Sequence, residues 1–328
     1  MPFREIAGHR RLLELVAGAA LRGSLAPSLL FAGPDGVGKR MAAVALAQLV
    51  NCAAPSDGDA CGVCGSCRRI ARGVHPDVLI VAPGATGAIK IEQVREAIDR
   101  AAYRPFEGRR RVVIVDDADA MVAEAQNAML KTLEEPPAAS AFVLVSSRPD
   151  MLLPTVRSRC QRLRFGRLAP AEIAAVLERD HAYEPAEAYA AAAAADGSIG
   201  RALDERSEDY VEAREAAAAL LTGVATSTDP RSRLDSARTL ASGNADREAV
   251  GRRLRAAASL LRDLGILLSR ADERALANAD LRPLLTRLLK SFDGDRTLRA
   301  FSAIDRALDA LDRNASPKIV SDWVAIQI

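Results

Sequence analysis

The sequence predicts an α/β domain built on a parallel sheet, followed by a small helical region and a larger all-helical one. Three observations carry this. Four short apolar runs, at 28–32, 77–81, 112–115 and 142–145, alternate with amphipathic stretches; buried runs separated by crossover helices imply parallel strands. The first run leads into a glycine-rich stretch, Gly33-Pro34-Asp35-Gly36-Val37-Gly38-Lys39-Arg40, that opens a helical pattern. Strand, glycine-rich loop and helix is the context of a phosphate-binding P-loop. After about residue 165 the strand patterns stop.

Taken in order, residues 9–22 read as a helix, with Leu12, Leu13, Leu15, Val16 and Ala19 on an apolar face. The strand at 28–32, the P-loop and a helix at 41–50 follow. Residues 52–67 form a small excursion rich in Gly, Asp and Cys. The strand at 77–81 precedes a glycine-containing loop, 83–88. A helix at 91–101 carries Ile91, Val94, Ile98 and Ala101 on one stripe. The strand at 112–115 ends at Asp116. A helix at 123–133 is stopped by Pro136-Pro137. The strand at 142–145 ends at Ser146-Ser147 and is read as the last of the sheet, so that Ser158-Arg159-Cys160 follows it. Pro170 opens a helix at its first turn, and an Ala-rich helix near 186–195 breaks at Gly197. Leucines at 254–268 and 281–289 give two apolar helical faces, and Ser316-Pro317 reads as an N-cap with proline at the first position. The expected domains are 1–165 with an insert at 52–67, then 166–205, then 206–328.

The 328 residues are 49% hydrophobic and 27% charged, as in a soluble globular protein of two or three domains. No apolar run approaches the roughly 18 residues of a membrane span. Met1 to Glu5 lack the basic-then-apolar design of a secretion signal, so a cytoplasmic location without membrane attachment is expected. A net charge of +2 means that any nucleic-acid contact must come from a local patch.

Gly33, Gly36 and Gly38 let backbone N–H groups wrap an anion, and Lys39 stands where such loops reach the outer phosphates. The next residue should be Ser or Thr, whose hydroxyl ligates Mg²⁺. Arg40 stands there, and a guanidinium cannot ligate a cation. Asp116, at the end of a buried strand, fits a metal-holding carboxylate. The following position, where Glu commonly activates water, holds the shorter Asp117. Phosphate binding and hydrolysis therefore separate, and ATP with Mg²⁺ at this site is doubtful as a working pair. Cys61-x2-Cys64-x2-Cys67, with Cys52 upstream, supplies four thiolates among turn glycines. That set suits one tetrahedral, structural Zn²⁺ that holds the insert folded; an iron–sulfur cluster is the rival. Cys160 stands apart as a small buried residue. Arg159 reads alone as a salt-bridged surface arginine, or as a finger acting on a neighbour's phosphoryl transfer.

Together these residues resemble the clamp-loader family of AAA+ proteins, in order and spacing, over residues 3–205. The motifs are the P-loop, the four-cysteine insert, His75-Pro76-Asp77, Val115-Asp116-Asp117-Ala118-Asp119, Asn127-Ala128-Met129-Leu130-Lys131-Thr132-Leu133-Glu134-Glu135-Pro136-Pro137 and Ser158-Arg159-Cys160. The resemblance implies an AAA+ domain, a helical lid at 166–205 and an oligomerising collar at 206–328. It implies a hetero-pentamer with gamma/tau-type motors and a clamp-opening delta subunit, which loads a sliding clamp onto primer-template DNA. It places Ser147, or Ser146, at the first sensor, and makes Arg159 a finger acting in trans on the neighbouring subunit's ATP. Gly200 stands where the motors carry a sensing arginine; Arg201, one place along, is turned about 100° away on a helix. Arg40, Asp117 and Gly200 favour a non-hydrolysing stator. Two alternatives are an active gamma-type ATPase and a zinc-containing nucleic-acid-binding module with a vestigial P-loop.

Overall fold

The computed structural model describes residues 2–84, 86–204, 208–227, 229–241, 246–271, 276–313 and 315–328. The chain forms two compact units. One comprises Met1–Ile173 with Gly197–Gly200, the other Ala174–Asp196 with Arg201–Ile328. The expected boundary at 205/206 falls on residues outside the described ones.

In the first unit the order is α1 (Arg10–Leu21), β1 (Ser28–Ala32), α2 (Lys39–Asn51), α3 (Gly65–Ala71), β2 (Val78–Val81), α4 (Ile91–Ala102), β3 (Arg111–Val115), α5 (Ala123–Glu134), β4 (Ser140–Ser146), α6 (Pro154–Arg157) and β5 (Gln161–Arg164). The strands form one sheet in the order β2-β3-β4-β1-β5, and every pairing is parallel. The expected parallel α/β sheet is present. It has one strand more than expected. β5 pairs with β1, Leu30 opposite Arg162 and Phe31 opposite Leu163. Ser158-Arg159-Cys160 therefore precedes a strand, which corrects the expectation that it follows the last one. The sequence Gln-Arg-Leu-Arg hides this edge strand, because only Leu163 is apolar and the other side chains are exposed.

Strand residues alternate between the two faces of the sheet. Leu29, Phe31, Ile114, Val143 and Val145 pack with Leu13, Val16, Leu46 and Ile70 from α1, α2 and α3. Leu30, Val113, Val115, Phe142 and Leu144 pack with Val94, Ala101, Met129 and Leu133 from α4 and α5. Both faces are covered, so β1, β3 and β4 are buried along their whole length. Continuous apolar runs in the sequence are the consequence.

Beyond β5 the described residues hold helices only. α7 (Pro170–His181), α8 (Pro185–Ala194) and α9 (Ile199–Asp204) come first. α10 (Glu208–Thr226), α11 (Pro230–Ala237), α12 (Arg247–Leu268), α13 (Arg282–Leu288), α14 (Gly294–Asp312) and α15 (Pro317–Gln327) complete the chain. Leu220, Leu254, Leu260, Leu264, Phe292 and Ile304 are among the buried residues of one core. Asp229, Asp246 and Asp293 cap their helices through the side chain. Ser316 makes no such bond; α15 starts on Pro317 alone. No helix among the described residues is long and apolar enough to cross a membrane.

Candidate functional site at the carboxyl ends of the strands

β1, β3 and β4 deliver their last residues to one edge of the sheet, where ligands bind in open α/β folds. Gly33 follows β1, and its N–H donates to the Ser146 carbonyl at the end of β4, 3.2 Å. The loop then needs left-handed backbone at Gly36 (φ 70°) and Gly38 (φ 92°), which glycine adopts without strain. Gly36 is confined as well. Its carbonyl accepts from the N–H groups of Ile199 at 3.0 Å and Gly200 at 3.4 Å. A Cβ there would meet the Ser198 hydroxyl at 2.1 Å. Residues 197–200 thereby belong to the sheet unit although the chain leaves that unit at residue 173.

Lys39 begins α2. Its ammonium donates to the carbonyls of Gly33 at 2.8 Å and Pro34 at 2.6 Å, and stands 3.7 Å from an Asp35 carboxylate oxygen. The residue is only 6% exposed. Burial lowers the affinity of this amine for its proton, against the charges of Asp35, Asp119 and Asp117. The anticipated metal position is held differently. Arg40 Nε lies 3.2 Å from Asp116 Oδ2, with side-chain exposures of 62% and 12%. A guanidinium thus sits on the carboxylate best placed to hold a cation.

Asp117 occupies left-handed backbone, φ 48°. Burial, with the charges of Asp116, Asp119 and Asp35, raises its carboxyl above the usual range. Asp119 gathers a polar network around the two serines, Ser146 and Ser147, that the resemblance places at the first sensor. It accepts from the Ser146 hydroxyl at 2.6 Å, the Ser147 N–H at 3.2 Å and Arg148 Nε at 3.2 Å. Burial alone would raise the Asp119 carboxyl; the Ser146 hydroxyl and the Arg148 guanidinium hold it low. Ser147 reaches this network through its backbone, so Ser146 is the serine whose side chain takes part.

The four cysteines converge. The Sγ atoms of Cys52, Cys61, Cys64 and Cys67 all lie within 4.8 Å of one another. A tetrahedral Zn²⁺ with Zn–S bonds of about 2.3 Å needs S–S edges of about 3.8 Å, so the set fits such an ion. The N–H groups of Cys61, Cys64 and Cys67 point at the sulfurs of Cys52, Cys61 and Cys64, at 3.3, 3.4 and 3.5 Å. N–H donors aimed at sulfur favour thiolate, the form that binds metal. The insert is tied down from outside too: Asp59 accepts from the N–H groups of Phe3 and Arg4, and Gln48 Nε2 donates to the Cys67 carbonyl at 2.8 Å.

Two further buried groups escaped the sequence reading. Asp77 precedes β2 and accepts from the N–H groups of Phe106, Glu107 and Gly108 at 2.7, 2.9 and 2.8 Å, and from Arg111 Nη2 at 2.9 Å. Burial opposes its charge, but these donors pull its carboxyl down to about 2. Asn51 Oδ1 accepts from the N–H groups of Arg109 and Arg110 at 2.8 and 3.0 Å. The His75-Pro76-Asp77 motif was the available signal. His75 accepts the Asp77 N–H at Nδ1, 3.1 Å, so its Nε2 carries the proton and faces the Ser66 hydroxyl at 3.0 Å.

Arg159 stands apart from the P-loop cluster. Its Nη2 and Nε lie 2.9 and 3.1 Å from Glu134 Oε2, and Nη1 donates to the Thr155 carbonyl at 3.1 Å. Its side chain is 32% exposed. Cys160 beside it is buried, which pushes its thiol up to about 12.

Residues 8–169 match the family described as "DNA polymerase III, delta subunit". A tau subunit of DNA polymerase III from Salmonella typhimurium is 34% identical over 206 residues, 61% of this chain and 32% of that protein. A gamma/tau subunit from Mycobacterium bovis is 36% identical over 177 residues, 54% of this chain and 31% of that protein. A delta' subunit from Pseudomonas aeruginosa is 39% identical over 140 residues, 42% of this chain and 43% of that protein. The matches thus span less than half the length of these relatives. Residues 8–169, just under half of the chain, with their P-loop at the carboxyl edge of a parallel sheet, are those of a clamp-loader protein of the AAA+ family.

Proposed function

We propose that this chain is the delta-prime subunit, the stator, of a DNA polymerase III clamp loader. One observation carries the choice over a motor subunit: the Arg40 guanidinium is 3.2 Å from the Asp116 carboxylate. A fixed positive charge stands where a motor would bind Mg²⁺, and no hydroxyl follows Lys39 to complete a metal shell. Asp117 is a methylene short of the usual water-activating Glu. Gly200 carries no side chain to sense a γ-phosphate, and Arg201 is engaged with Asp196 at 3.4 Å. The P-loop N–H groups and Lys39 remain able to hold phosphate, without productive metal chemistry.

In this reading the chain sits in a hetero-pentamer with gamma/tau and delta subunits. The complex spends ATP to open the sliding clamp and place it on primer-template DNA. Residues 166–205 act as lid and 206–328 as collar. Arg159, held in position by Glu134, reaches the ATP of the neighbouring motor. Cys52, Cys61, Cys64 and Cys67 hold a structural Zn²⁺ with no open coordination position, so the ion fixes the insert and takes no part in turnover.

The deciding measurement is ATP turnover by the purified chain, alone and mixed with its partners. Negligible turnover alone is expected. Robust hydrolysis alone, abolished by Lys39→Ala, would establish the second reading, an active gamma-type ATPase; the 34–36% identity to tau and gamma/tau proteins keeps that reading in play. Elemental analysis should find about one zinc per chain, whereas an iron-type visible absorbance would assign the cysteines to a cluster.

A further inference from the structure

We infer that the loop 103–110, with the adjoining face of α3, forms a surface that binds single-stranded DNA, separate from the P-loop. The loop's backbone is pinned at five consecutive N–H groups, three to Asp77 and two to Asn51. Arg111, at its end, is buried against Asp77. The loop's conformation is therefore set from beneath, through its backbone, and does not rest on the exposed rings of Tyr103 and Phe106. Those side chains are unusual for a surface turn. Phe106 is 81% exposed and Tyr103 is 72% exposed. An exposed phenyl ring on so firmly held a loop contributes little to folding, and it is presented at a fixed place.

The charge around it is one-sided. Residues 65–72 and 103–111 hold seven arginines and one glutamate, in a chain whose net charge is only +2. Arg69 Nη2 meets that glutamate, Glu107, at 2.7 Å, and this pair ties α3 to the loop. Arg111 is spent on Asp77. Arg68, Arg72, Arg104, Arg109 and Arg110 have no carboxylate within ion-pair distance among the described residues. Unpaired arginines and exposed aromatic rings carried on one pinned loop supply the two terms that hold single strands, phosphate neutralisation and base stacking. A duplex keeps its bases stacked on one another and would use only the first. This surface adds to the clamp-loader role and does not depend on whether the chain is stator or motor.

The test is fluorescence anisotropy of a labelled oligothymidylate of about 15 nucleotides, titrated with the full zinc-loaded chain at several salt concentrations. Binding is expected at low salt. Phe106→Ala should weaken it at least about 5-fold, the stacking of one base, with an unchanged melting temperature. Arg109→Ala with Arg110→Ala should make the salt dependence shallower by about 1.4 in log K against log salt, at about 0.7 per phosphate contact on a single strand. Absence of binding would overturn the inference, as would binding insensitive to all three substitutions. A labelled polyglutamate peptide is the competing probe. If it binds in a Phe106-dependent way while the oligonucleotide does not, the surface recognises acidic protein and the DNA assignment fails.

Discussion

An aspartate–arginine pair stands at each end of strand β3, and the two pairs do opposite things. At the amino-terminal end Asp77, just before β2, meets Arg111, the first residue of β3, at 2.9 Å. At the carboxyl-terminal end Asp116, just after β3, meets Arg40 at 3.2 Å. The first carboxylate is fully buried, and three backbone N–H groups join the guanidinium around it. In the second pair the carboxylate is also largely buried, 12% exposed, but its arginine is mostly exposed and reaches it from the solvent side. The same two residue types thus build the fold at one end of the sheet and meet beside the P-loop at the other. What separates them is the burial of the arginine and the number of donors: Arg111 is enclosed and must be fully satisfied, whereas the Arg40 guanidinium is largely solvated by water.

The contrast can be broken most directly at Asp77. Asp77→Ala leaves Arg111 charged and buried without its partner and strands three N–H donors. A loss of about 3–5 kcal/mol is expected, read from urea unfolding of the sheet unit. The same carboxyl sets an acid dependence. Its value of about 2 lies below that of an unfolded aspartate near 4, so its contribution is complete above about pH 4 and drains away as the pH falls towards 2. In Asp77→Asn that part of the acid curve should flatten. A stability within about 1 kcal/mol of the parent for Asp77→Ala would erase the distinction between the two ends. Asp116→Ala is the milder partner experiment: a change of no more than about 1 kcal/mol is expected. A larger loss would make the Arg40 pair structural and weaken its reading as a stand-in for metal. Arg159→Ala should change stability least, since its Glu134 pair lies at the surface. On the proposed role its effect is expected in the assembled complex, where turnover should drop steeply, arginine fingers being worth about 10³–10⁵ in rate. Unchanged turnover of the complex would remove Arg159 from the neighbour's site.

The fold was legible wherever burial wrote itself into composition. β1 to β4 are apolar runs because both faces of the sheet are covered, and their partner helices show one apolar stripe each. β5 was illegible for the converse reason: as an edge strand with exposed Gln161, Arg162 and Arg164 it needs no apolar run, and only its pairing with β1 reveals it. At the site, residue types could be read but partners could not. Arg40 was visible as a missing hydroxyl; its engagement with Asp116, 76 positions away, was not. Asp119 looked like one of three acids in a loop, yet it gathers Ser146, Ser147 and Arg148. Asp77 looked like the start of a strand, since nothing in a linear pattern announces that a loop some 30 residues later will bring it three N–H groups.

The bond from Gly36 to residues 199 and 200 also bears on how the chain matures during synthesis. The sheet unit is not one continuous stretch: it closes only when residues 197–200 return to the P-loop after the excursion at 174–196. A nascent chain that has exposed everything up to residue 173 still lacks the two N–H groups that the Gly36 carbonyl accepts. Domains acquire structure as units while the ribosome feeds them out. Within the sheet unit, the phosphate loop is among the first segments made, and two of its backbone partners are among the last.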